Sequence, residues 1–198
     1  MNTGSYTKVG EIRISLWWVN VIGFIIAIPV ALFFMVAETA LHGPDSPTVW
    51  HLLYFCVTFS IQLVVHELLH AVGYIRFGGL YWNELKFGFS WRALAVFCNC
   101  LSPVRIDHFR RAAVLPVLVL LPISVAVWLI FGHSWLAFFA AVTLLGGIGD
   151  AIMLLKTLRY PSNLFILEHP SGIGGDLYVL TNEIQSQVGP RREEGNRA

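Results

Sequence analysis

Four apolar stretches, 14–37, 49–75, 112–131 and 135–155, leave this chain few folds to choose from. About 20 apolar residues in a row cross the hydrocarbon core of a bilayer as a helix. Lipid offers no partner for backbone N–H and C=O groups, so runs of this kind become helices rather than open loops. The first run carries no charge and exceeds the roughly 7–15 residues of a signal-peptide core, so it reads as a retained span. Asp150 alone interrupts the fourth. Pro29, Pro116 and Pro122 lie inside the runs and predict kinks rather than breaks. Charged residues make up 13% of the chain, against about 25% in soluble domains. The expected fold is therefore an all-α integral membrane protein with four transmembrane helices. It forms one domain over 1–186, and the polar stretch 187–198 is expected to be a disordered tail.

Orientation follows from the basic residues. All 13 lysines and arginines fall before the first run, between the second and third, or after the fourth, and none lies in 38–48 or 132–134. Positive charge marks the cytoplasmic side, which puts both termini and the 76–111 loop in the cytoplasm of a multi-pass cell-membrane protein. Trp17, Trp18, Trp50 and Trp135 lie near run ends, as interface anchors do. A net charge of +1 without a basic block gives nucleic acid no electrostatic footprint.

Inside the second run stands His66-Glu67-Leu68-Leu69-His70, an H-E-x-x-H motif. Histidines four apart on a helix share a face, so their rings can converge on one Zn²⁺, with the intervening glutamate beside a zinc-bound water as general base. Ionisable groups at this depth are expensive and mark function. A catalytic zinc normally takes three protein ligands and keeps one position for water. Asp150 is the candidate third ligand. At 1.5 Å per residue, Leu68 and Asp150 both lie about 9–14 Å inside the basic flank. Gly146, Gly147 and Gly149 beside Asp150 allow close helix approach. Rival ligands are Glu84, Asp107, His108, Glu168 and His169, each in a segment that could fold back.

Between the second and third runs, Leu85, Phe87, Phe89 and Trp91 alternate with polar or small residues, and 93–98 is a second short apolar run. A period of two predicts a short cytoplasmic β-hairpin near the zinc. Its free edge could hold an unfolded substrate as an added strand, with Phe87, Phe89 and Asn99 as candidate contacts. A hairpin that only caps the bundle accounts for the same pattern. Asp107 is a candidate N-cap for the third helix. Gly172, Gly174 and Gly175 read as turns, and 177–180 as a short strand. Cys56, Cys98 and Cys100 do not suit a disulfide framework and read as packing residues.

An H-E-x-x-H in one span with an Asp in a later Gly-rich span resembles the site-2 protease type of intramembrane metalloprotease. More closely, residues 60–180 are similar to the putative zincin peptidase family of small bacterial and archaeal membrane proteins. The landmarks are His66 to His70, Gly149-Asp150, and Glu168-His169 with its following glycines. Site-2 proteases usually carry Asp-Gly, whereas here Gly149 precedes Asp150 and Ala151 follows it. The resemblance implies zinc ligands His66, His70 and Asp150, a catalytic Glu67, and a protein or peptide substrate in or at the membrane. The expected activity is zinc-dependent intramembrane endopeptidase chemistry. The competing reading is a non-proteolytic zinc-binding membrane protein, such as a sensor or transport component.

Overall fold

The computed structural model describes residues 5–44, 46, 48–91, 95–169 and 173–181. The expected tail at 187–198 lies outside the described residues. In chain order the elements are β1 (Tyr6–Ile14), α1 (Leu16–His42), α2 (Val49–Gly78), β2 (Leu85–Ser90), β3 (Ala95–Cys100), β4 (Val104–Arg105), α3 (Ile106–Phe131), α4 (Ser134–Gly146), α5 (Ile148–Thr157), β5 (Phe165–Glu168) and β6 (Ile173–Leu180).

Among the described residues, four helical stretches are long and apolar enough to cross a membrane: α1, α2, α3, and α4 with α5 taken together. Pro29 sits within α1, and Pro116 and Pro122 within α3, without ending either helix. The helices stop where backbone chemistry changes. Gly79 and Gly132 end α2 and α3 in the left-handed conformation that glycine adopts without a Cβ penalty. The fourth run differs from expectation, because it breaks at Gly147 into α4 and α5. A Cβ on Gly147 would lie 2.3 Å from the Val117 side chain, so the break also lets this strand of backbone press against α3. Asp150 consequently falls in the first turn of a new helix.

An all-α fold is the expectation that the structure corrects. The β2–β3 hairpin is present as expected, but an antiparallel sheet of order β1-β6-β5-β4 joins the two ends of the described chain. Residues 6–14 form its long edge strand rather than a tail, and only Ile12 of that strand is buried, which leaves little hydrophobic alternation to read. Gly174 and Gly175 lie within β6 rather than in a turn. Gly174 has φ 139°, and a Cβ there would meet the Ile12 carbonyl oxygen at 2.0 Å, so the glycine serves close strand approach. Asp107 is not an N-cap. The helix starts at Ile106 behind Arg105, and Asp107 pairs with Arg105 at 3.2 Å in the first turn.

Two apolar cores follow. One gathers Tyr74, Ile106, Phe109, Met153, Ile166 and Leu177 between the sheet and the H-E-x-x-H end of the helices. The other joins Phe34, Trp128, Leu136 and Ala140 at the opposite end. Between them Gln62 donates to Thr143 at 2.7 Å, and Thr143 meets Ser124 at 3.1 Å, tying α2, α4 and α3 together. Cys98 and Cys100 are packing residues in the first core, whereas Cys56 is exposed on α2.

α2 and α3 approach closely at Gly73, where a Cβ would stand 2.6 Å from Ala112 Cα. Backbone cannot yield as a side chain does. Gly73→Ala should therefore cost about 1–3 kcal/mol through overpacking. Thermal unfolding in detergent measures it, and a variant melting with the wild type would refute the close contact.

Candidate metal centre

Gln62, His66, His70 and Tyr74 recur every four residues on one face of α2, the face turned to α3 and α5. α5 brings Asp150 to meet them. Its Oδ2 lies 3.0 Å from His66 Nε2 and 3.3 Å from His70 Nε2, and the ligand atoms of the three residues all fall within 4.8 Å of one another. The imidazole rings are 4.9 Å apart between centroids. The first turn of α5 favours a carboxylate at Asp150, because the helix dipole presents its positive end there.

His70 Nδ1 lies 3.1 Å from the Ala112 carbonyl oxygen. A carbonyl only accepts, so Nδ1 carries a proton, and in the neutral ring Nε2 then presents a lone pair. That lone pair faces a carboxylate oxygen, and two acceptors 3.3 Å apart repel unless a cation or a shared proton lies between them. Donors at 2.0–2.2 Å around a tetrahedral zinc stand about 3.3 Å apart, close to the separations seen. The donor set of two imidazole nitrogens and one carboxylate oxygen fits zinc in both chemistry and size.

These residues open onto a cavity of about 1170 Å³. Glu67 lines it, and the backbone N–H of Cys98 on β3 hydrogen-bonds the Glu67 carboxylate. Phe89 and Asn99 are also in the wall, with the Asn99 amide donating to the His169 carbonyl at 3.0 Å. Phe87 lies outside it, packed on Trp82 at 5.3 Å between ring centroids. The hairpin edge is less free than its sequence suggests. Cys98 N–H is held by Glu67, and Cys100 N–H donates to Glu168 at 3.0 Å.

The rival ligands have other partners. Tyr81 N–H and the Ser102 hydroxyl hold the Glu84 carboxyl below its usual range. Asp107 meets Arg105 and His108. His169 faces Asp176 at 3.1 Å and Glu11 at 3.6 Å, a second compact group of metal-binding side chains. There Glu11 and Asp176 are direct cross-strand partners, a like-charge pairing that costs stability unless compensated. Lys8, 2.6 Å from Asp176, and Arg13, bonded to Glu11, supply the compensating charge. That group is an ion-pair network pinning β1 to β6.

Glu168 is different, because it lies in the wall of the same cavity as His66, His70 and Asp150. Its Oε2 accepts from the Tyr74 hydroxyl and from Cys100 N–H, each at 3.0 Å. Burial pushes its carboxyl above the usual glutamate range. Burial, with Glu67 and Glu168 nearby, pushes the Cys98 thiol up to about 12, so it stays protonated and is a poor ligand at neutral pH. Tyr74 was within reach of sequence reasoning, as the next member of the i, i+4 stripe. Glu168 pairs across 94 positions, and no local signal predicts that contact.

A family model described as putative zincin peptidase matches residues 59–165, a stretch that contains the H-E-x-x-H and Asp150. No curated protein and no solved structure gives a significant match.

Proposed function

This chain belongs to the putative zincin peptidase family, and from that premise we propose that it is an intramembrane zinc endopeptidase of the site-2 protease type. It hydrolyses peptide bonds of membrane-embedded or membrane-associated proteins. The observation that carries the reading is the convergence of His66, His70 and Asp150 from two membrane-length helical stretches, with Glu67 in the same cavity.

Several features support a membrane setting with the cavity near one interface. Leu68 is ten residues from the end of α2 and Asp150 seven from the end of α5, or about 10–15 Å along each helix. Trp17 and Trp18 are exposed where α1 starts, and Trp50 is exposed where α2 starts, as two interfacial belts require. Large apolar side chains such as Phe24, Phe33, Val49 and Ile130 face outward. The described basic residues gather at the cavity end, which supports a cytoplasmic placement of that end under the positive-inside rule.

His66, His70 and Asp150 would hold the zinc, whose bound form supplies Lewis acidity and brings a water's pKa towards about 7. Ala112 fixes the His70 tautomer through Nδ1, so Nε2 remains a ligand. Cys98 N–H orients the Glu67 carboxylate. Glu67 takes the proton of the attacking water and returns it to the departing amine nitrogen. The cavity exceeds the roughly 300–1,000 Å³ of small-molecule sites, which suits a stretch of polypeptide. Such a stretch must be unwound, because a helix hides its carbonyls.

Metal removal tests the proposal. Protein reconstituted in liposomes with a single-span model substrate should stop cutting when stripped with 1,10-phenanthroline, and should recover when zinc is returned. Cleavage that persists after complete stripping would sink it. Zinc bound without cleavage of any membrane substrate would favour a sensor or transport component.

A further inference from the structure

We infer that Glu168 selects substrates carrying a lysine or arginine beside the bond to be cut; the inference rests on the peptidase reading above. The wall of the catalytic cavity holds three carboxylates, Glu67, Asp150 and Glu168, and two imidazoles. Among the described residues no lysine or arginine lines it. One bound divalent cation would balance Asp150 and Glu67, leaving the third carboxylate without a counterion among the described residues. Every donor to Glu168 among the described residues is uncharged: the Tyr74 hydroxyl, the Cys100 amide and the Cys100 thiol. No ion pair of Glu168 lies within 4.0 Å among the described residues.

A half-buried carboxylate held by neutral donors attracts a cation, because water screens it less than at an open surface. The substrate is the natural source. Membrane proteins carry lysine and arginine at the cytoplasmic ends of their spans, and the proposed orientation puts this cavity at that level. A substrate segment unwound beside Glu67 would bring its own basic flank to Glu168. The rigid support of that carboxylate, from α2 through Tyr74 and from β3 through Cys100, gives the contact a fixed position. Glu168 thus reads the residue next to the cleaved bond, while the metal centre and Glu67 act on the bond itself.

Binding tests this without requiring cleavage. The probe is a fluorescein-labelled decapeptide of leucine and alanine with one lysine, moved position by position across its centre, against the same peptides with norleucine. Fluorescence anisotropy with zinc-loaded protein in detergent gives the dissociation constants. Wild type should prefer lysine by about 30-fold at one position, the scale of a close charge pair. Glu168→Gln, which keeps the side chain's shape, should bring that ratio within about twofold of unity while norleucine affinity holds. No preference in the wild type, or a preference that survives in Glu168→Gln, would overturn the inference. Equal weakening of both peptides in the variant would overturn it too, since that marks a purely structural role. If the variant does not fold, the wild-type comparison decides alone. Protein that shows the preference yet cuts nothing refutes the peptidase reading instead, and protein that cuts without the preference refutes only this one.

Discussion

Glu67→Gln should leave zinc in place and slow peptide-bond cleavage by about 10²–10⁴-fold, the usual weight of a general acid–base group. The amide has the carboxylate's size, and its oxygen can still accept from Cys98 N–H. The ligand atoms of His66, His70 and Asp150 are untouched. What disappears is a group that can take a proton from water and hand it to an amine. The useful readout is therefore a pair of measurements on one preparation, metal content and turnover of a membrane substrate. Unchanged metal with collapsed turnover is the expected pair. Turnover within about threefold of wild type would remove Glu67 from the chemistry and the hydrolytic reading with it, because α2 offers no second carboxylate in the cavity.

The helices and the metal-binding side chains were the legible parts of this molecule. A long uncharged run has one solution in lipid, so α1 to α3 follow from residue type alone. His66 and His70 meet because a helix places residues four apart on one side, whatever surrounds it. Asp150 required a weaker argument, equal depth on two spans, and the break at Gly147 that starts α5 beneath it was not visible in a run that stays apolar throughout. Of the four-stranded sheet only the strand at 177–180, the end of β6, was legible, and the rest was hidden for a different reason. Its strands come from residues 6–14, 104–105, 165–168 and 173–180, short pieces with few inward apolar positions, and they acquire meaning only once paired. Glu168 was visible as a residue whose segment could fold back, but its contact with Tyr74 is made through that sheet and was hidden with it.

Asp150→Ala should strip zinc from the protein while leaving the bundle folded. The two imidazoles converge on a single oxygen of Asp150, so the substitution removes the contact that draws α5 and α2 to one point. Two ligands remain, and two histidines do not hold zinc as three protein ligands do. Loss of an outer partner already costs about 10–100-fold in affinity, so loss of a ligand should cost more than that. The fold should survive, because α5 is also anchored by Met153 in the apolar core and by Thr157, which is fully buried. Metal analysis after dialysis against a zinc buffer, alongside a melting curve, separates the two effects. Asp176→Ala is the control, since Asp176 belongs to the ion-pair network on the sheet, and it should keep its zinc. An Asp150→Ala protein with a full equivalent of zinc at wild-type affinity would mean that the third ligand comes from elsewhere. Glu168, already in the cavity wall, would then be the first residue to examine.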